Sequence, residues 1–275
     1  MFEKIIQLTG KKKGLTSIIL AGVHGNEKCG VIALKKILPN LKIEKGRVFV
    51  GFGNPRALKT NKRFTEANLN RMFKKNSLLS KKEKESYEYK RAQFLKKYLR
   101  KADALLDLHA TTTTNSKPFV ICEKNSKKIV KYLPVRLVVS GFNKVEPGGT
   151  DYYLNNLGKI GICVECGYNQ DPKSVKVAQK NILAFLKARG HLVNNLQPKK
   201  QKHIRMYSLY LTKTNNFTLA KSFVNFEKIT KGQLVGLDGT KKVRAKKNSI
   251  ILFACNRKKS NEEAFLLGKK ERAWF

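Results

Sequence analysis

This sequence predicts an α/β fold: a mostly parallel or mixed central sheet, helices on both faces, and a small C-terminal β domain. Three observations predict it. Short apolar, β-rich runs alternate with amphipathic stretches up to about Pro198. Those runs are continuously apolar, as in strands buried on both faces. Beyond Pro198 the alternation gives way to short strands and turns. Strand–helix alternation of this kind places helices on both sides of a parallel layer.

Taken in order, the strands are expected at 17–23, 47–52, 104–108, 119–122, 137–140 and 160–165, with helices at 27–38, 81–101 and 174–189. In the second helix Tyr87, Arg91, Phe94, Leu95, Tyr98 and Leu99 include an apolar stripe at helical spacing. Lys199-Lys200-Gln201-Lys202 is a polar joint, followed by strands at 206–211, 234–237 and 249–254, with Asp238-Gly239 as a hairpin turn. Two domains follow from this pattern, 1–198 and a β-rich 199–275.

A chain of 275 residues can bury a substantial core. Its longest apolar run, 17–23, is too short to cross a bilayer. The N-terminal Met-Phe-Glu-Lys-Ile-Ile lacks the apolar stretch of a signal peptide. Five scattered cysteines without a Cys-x-x-Cys pair argue against a disulfide framework, and a cytoplasmic location is expected. The net charge is +39, from 58 Lys and Arg against 19 Asp and Glu, and only 12 of the basic residues are arginine. Such charge is an electrostatic footprint for nucleic acid or a lysine-rich surface without a partner. The lysines are dispersed and no RNP, helix-turn-helix or finger pattern accompanies them, so nucleic acid enters only through non-specific charge.

Four short words carry the chemistry: Gly-Val-His24-Gly-Asn-Glu27, Leu69-Asn70-Arg71, Asp107-Leu108-His109 and Val164-Glu165-Cys166-Gly167. His24 and Glu27 follow the first buried strand, and a three-residue offset lets both point to one side. His109 follows the strand at 104–108 in the same way. Ligands placed after the carboxyl ends of strands lie where open α/β sheets bind. Two His and one Glu leave a fourth position open, the catalytic arrangement for Zn²⁺. The same residues also suit a strand-end histidine and a glutamate in a first helical turn, favoured by the dipole. Asp107, two residues before His109, is on its face of a regular strand and either orients the imidazole or is a buried structural aspartate. The remaining histidines, His191 and His203, have polar neighbours and are expected to be solvated.

Arg63, Asn70 and Arg71 offer forks and an amide to a carboxylate, although in so basic a chain a single arginine is usually a surface group. Glu165 ends an apolar strand, where a carboxylate must be paired, capping or functional. It is either a general base or the partner of a lysine.

Together these residues resemble the succinylglutamate desuccinylase/aspartoacylase family, a branch of the zinc carboxypeptidase-like fold. The resemblance rests on Gly-Val-His24-Gly-Asn-Glu27, Asn54-Pro55-Arg56-Ala57, Arg63-Phe64, Asn68-Leu69-Asn70-Arg71-Met72-Phe73, Asp107-Leu108-His109 and Val164-Glu165-Cys166-Gly167, within about residues 15–170. It implies that His24, Glu27 and His109 hold one Zn²⁺ per chain. It implies that Glu165 takes a proton from the zinc-bound water, that Arg63 stabilises the oxyanion, and that Asn70 and Arg71 hold the substrate carboxylate. The reaction implied is hydrolysis of the amide of a small, carboxylate-bearing N-acyl amino acid.

Two departures bear on the substrate. Aspartoacylases carry an arginine in the segment before the catalytic glutamate and a tyrosine in the C-terminal domain. Here 150–154 has no arginine, and Phe265 stands in the segment similar to the tyrosine-bearing one. The reaction is thereby separated from any commitment to N-acetylaspartate. The alternatives are a zinc carboxypeptidase acting on peptide C-termini and a basic nucleic-acid-binding protein with a vestigial hydrolase core.

Overall fold

The structure is a computed structural model, and it describes residues 3–272. The chain opens with β1 (Ile6–Thr9), β2 (Lys12–Ala21), α1 (Cys29–Ile37), β3 (Lys45–Phe52), α2 (Pro55–Thr60), α3 (Lys81–Glu85) and α4 (Tyr87–Leu99). Then come β4 (Ala104–Thr111), β5 (Phe119–Cys122), α5 (Lys127–Val130), β6 (Leu137–Ser140), α6 (Phe142–Val145), α7 (Thr150–Asn156), β7 (Ile160–Tyr168) and α8 (Lys173–Ala188). Strands alone follow: β8 (Lys202–Leu211), β9 (Phe217–Leu219), β10 (Lys228–Ile229), β11 (Leu234–Asp238), β12 (Lys241–Arg244), β13 (Ser249–Leu252) and β14 (Glu263–Glu271).

Eleven strands form one mixed sheet in the order β1-β3-β2-β4-β7-β5-β6-β8-β14-β13-β10. Its centre, β3-β2-β4-β7, is parallel. The continuously apolar strands are buried on both sides, as expected. Ile19 and Ala21 of β2 pack with residues of α1 and α8 on one face, while Ile18 and Leu20 pack with Ala92, Leu95 and Leu99 of α4 on the other. From β2 the chain passes to β3 on one side and then crosses to β4 on the other. That reversal is the topological switch point, where loops diverge and open a crevice at the strand carboxyl ends.

The C-terminal segment is β-rich, as expected, and it extends the central sheet. β8 pairs in parallel with β6 and is followed by antiparallel β14, β13 and β10. Among the described residues, only β12-β11-β9 form a separate small sheet. Its β11–β12 hairpin pairs Asp238 with Lys241, so the turn foreseen at Asp238-Gly239 is present, with Gly239 at φ +60°.

Three expectations are corrected. The helix expected at 27–38 begins at Cys29, so Glu27 precedes it in a turn where its N–H donates to the His24 carbonyl at 3.2 Å. The helix expected at 81–101 breaks at Ser86, whose extended backbone and hydroxyl cap a new helix by accepting from the Tyr89 N–H. His191 and His203 are buried, not solvated. His191 lies 2.8 Å from the Ser17 hydroxyl and 2.9 Å from the Lys45 carbonyl, and His203 lies 2.8 Å from the Ser140 hydroxyl. Local polarity misleads there because each ring has a hydroxyl partner from a distant strand.

Candidate active site

The carboxyl ends of β2, β4 and β7 bring the sequence-selected residues together. Cα register pairs Ala21 with Leu108 and His109 with Glu165, so the end of β2 lies beside β4 and two functional side chains stand on adjacent strands. His24 follows in the loop after β2. That loop needs Gly25, because a Cβ there would lie 2.1 Å from the Ala57 backbone. The Gly25 N–H also donates to the Arg63 carbonyl at 3.2 Å, tying the His24 loop to the segment that carries Arg63.

His24, Glu27 and His109 are each 3% exposed, and their ligating atoms lie within 4.8 Å of one another. Glu27 Oε1 lies 2.8 Å from His24 Nδ1, and Oε2 lies 3.1 Å from His109 Nδ1. Each ring is held from behind: His24 Nε2 is 3.1 Å from Asn68 Oδ1, and His109 Nε2 is 3.1 Å from Asp107 Oδ2. An Nε2–H donated to each oxygen turns both Nδ1 atoms toward Glu27, which is how imidazole ligands are oriented at metal sites. Burial, then the Arg63 charge, pushes His24 down to about 4, so its ring is neutral and able to ligate. Despite burial, Asp107 and Glu27 hold His109 well above the ordinary imidazole range. The surroundings therefore favour positive charge between the imidazoles and Glu27, and the donor set fits a divalent metal with nitrogen and oxygen ligands.

Glu165 is 7% exposed, and its Oε2 has no hydrogen-bond partner. Burial, with the Glu27 charge second, pushes its carboxyl up to about 8. A group raised toward neutrality can both take up and release a proton near pH 7. Arg63 donates from Nη1 to Glu27 Oε1 at 3.0 Å with its side chain half exposed. All of these groups line one cavity of about 360 Å³, together with Asn70 and Arg71.

Arg71 is more committed than its sequence context suggests. Nε and Nη2 donate to the two oxygens of Glu263 at 2.7 and 2.6 Å, Nη2 also donates to Glu146, and Nη1 donates to the Asn70 carbonyl at 2.8 Å. The Oδ1 of Asn70 is buried without a partner. Arg56, by contrast, faces away: it pairs with Glu66 and covers the Tyr87 ring.

Several contributors were not singled out from the sequence. Asn68 orients the His24 ring, and Thr150 supports Asp107 behind His109 by donating to its Oδ2. Glu88, fully buried, accepts from Thr65 N and Oγ1, Glu66 N, Ala67 N and Asn54 Nδ2, and so fixes the segment between Arg63 and Asn68. Asn54-Pro55 offered a partial signal as a helix N-cap followed by proline at the first helical position. Glu146 and Arg257 line the cavity from segments with no motif, and Asp151 and Glu263 line it from the two segments noted for a missing arginine and a missing tyrosine.

Fold and site define a class: α/β proteins with a His–Glu–His cluster and a neighbouring buried carboxylate at the carboxyl ends of adjacent parallel strands. The family model of the succinylglutamate desuccinylase/aspartoacylase catalytic domain matches residues 13–189. The chain belongs to that family. It is 28% identical over 193 residues to the N-acyl-aromatic-L-amino acid amidohydrolase (carboxylate-forming) B of Danio rerio, covering 62% of this chain and 58% of that one. It is 26% identical over 242 residues to a probable aspartoacylase of Acaryochloris marina, covering 80% and 75%. The chain thus spans little more than half the length of the first of these relatives. Among solved structures, the succinylglutamate desuccinylase of Vibrio cholerae superposes with a TM-score of 0.81 at 20% identity, over 97% of this chain and 85% of that one. At that identity the likeness speaks to the fold alone.

Proposed function

We propose that the chain is a zinc-dependent amidohydrolase that cleaves the amide of a small N-acyl amino acid. The observation that carries this reading is the pair of imidazole Nδ1 atoms turned onto Glu27 beside the unpartnered carboxylate of Glu165. His24, Glu27 and His109 would hold one Zn²⁺ per chain, which supplies Lewis acidity toward a carbonyl and acidifies water when bound. Glu165 takes a proton from the attacking water and delivers it to the leaving nitrogen. Arg63, within reach of the same site, donates to the oxyanion. Asn70 and Arg71 receive the substrate carboxylate, which exchanges with Glu263 in the Arg71 fork.

The catalytic residues all fall in 1–198, and we assign 199–275 to shaping the mouth through Phe253, Arg257, Glu263 and Phe265. No helix among the described residues is long and apolar enough to cross a membrane, and we place the enzyme in the cytoplasm. The rival reading is a carboxypeptidase, which needs a cleft open to several residues. Residues of the last seventy positions line this cavity, which favours the smaller substrate. Removing 199–275 is unsuitable as a test, because β8 and β14 belong to the central sheet. The test is the zinc-loaded full chain assayed against matched N-acyl amino acids and short peptides. Cleavage of the N-acyl amino acids with peptides untouched is expected, and the converse would establish the carboxypeptidase.

A further inference from the structure

The walls of the cavity reverse the charge of the chain. Overall, 58 basic residues face 19 acidic ones, yet the described cavity lining has five carboxylates, three arginines and no lysine. Glu27 and Glu165 belong to the proposed metal and proton chemistry. Glu146, Asp151 and Glu263 do not, and only Arg71 is shared between Glu146 and Glu263. Glu146 Oε2 is buried with no hydrogen-bond partner, as is Oε2 of the 7%-exposed Glu165 in the same wall. Asp151 lines the same cavity beside Glu146. Buried acceptors left open in this way call for donors brought by a ligand.

Displacement sharpens the point. A substrate carboxylate entering the Arg71 fork must exchange with Glu263, and it leaves two acidic side chains beside a guanidinium already neutralised. An uncompensated charge in a closed pocket is costly. A substrate that carries its own cation removes that cost.

We infer that this cavity selects N-acyl amino acids whose side chain bears a positive charge, an amine or a guanidinium, received by Glu146, Glu263 and Asp151. The inference rests on the deacylase reading for the bond that is cut, but the charge preference is measurable without turnover.

The test uses the zinc-loaded full chain in two assays. Hydrolysis is compared for N-acetyl-L-lysine acylated on the α-nitrogen, N-acetyl-L-norleucine and N-acetyl-L-glutamate. Binding of the free amino acids L-lysine, L-norleucine and L-glutamate is followed by calorimetry. A preference of about tenfold or more for lysine over its neutral isostere, with glutamate weakest, is expected, since about 1.4 kcal/mol gives a factor of ten. Glu146→Gln and Glu263→Gln should shrink that ratio toward one and improve glutamate, because Arg71 loses its internal counterions. Equal hydrolysis of all three, or a preference for glutamate, overturns the charge selection and leaves the deacylase standing. If none is hydrolysed, charge-ordered binding still supports the selection while the deacylase reading fails. Binding without charge order overturns the selection. Should a variant fold poorly, the wild-type binding order decides.

Discussion

Replacing Glu88 by glutamine changes one oxygen to an amide on a carboxylate that receives five hydrogen bonds at 2.7–3.2 Å from Asn54, Thr65, Glu66 and Ala67. Glutamine keeps one acceptor oxygen. Its NH₂ must face either the Glu66 and Ala67 amides or the Thr65 and Asn54 donors, so at least two donors, part-buried or buried, lose their partner. At about 1–3 kcal/mol for each orphaned group, the loss is about 2–6 kcal/mol. Urea unfolding measures it, as a fall in midpoint at constant slope. The exposed Glu85→Gln on the neighbouring helix serves as control.

The pH dependence carries a sign. Burial opposes ionisation of Glu88, but donations from Thr65, Asn54 and Ala67 outweigh it and hold the carboxyl below the usual glutamate range. Its stabilisation is therefore complete above the unfolded pKa and fades as pH falls through the lower folded value. The difference between wild type and variant should narrow on acidification. Because the same segment holds Arg63 and Asn68, kcat/KM should also fall, and misplacement of about 1 Å can cost about a hundredfold. A loss below about 1 kcal/mol at pH 7, or a difference that widens in acid, would refute this account of the loop.

Thr150→Val removes the hydroxyl that donates to Asp107 behind His109, and zinc affinity measured by chelator competition should fall about 10–100-fold. Unchanged affinity would show that Asp107 needs no support. The +39 charge should give polyanion binding that weakens steeply between about 50 and 200 mM salt without sequence preference. A sequence preference that survives at the higher salt would revive the nucleic-acid reading.

The grouping of His24, Glu27 and His109 was legible because these residues lie at or just beyond the carboxyl ends of β2 and β4, and apolar runs mark such ends. Asp107 was readable for a related reason: in a strand, i and i+2 share a face. The salt-bridge cage of Arg71 was not legible, since Glu263 lies 192 positions away and reaches it only through the β8–β14 pairing. The same distance effect hid the partners of His191, whose Ser17 contact spans 174 residues. The polar joint at 199–202 marked a real change from strand–helix alternation to strands alone. It gave no warning that β8 would continue the sheet, because an exposed edge such as that of β6 accepts any extended segment with matching hydrogen bonds. Charge composition pointed outward to partners, whereas the informative charge lies inside, in the acidic lining of the cavity.

The most direct test of the proposed chemistry is Glu165→Gln, with zinc content and turnover measured on the same preparation. About one equivalent of zinc per chain, with turnover lowered about 10²–10⁴-fold, is the expected result. Undiminished turnover with zinc in place, or full wild-type turnover in protein stripped of metal, would contradict it.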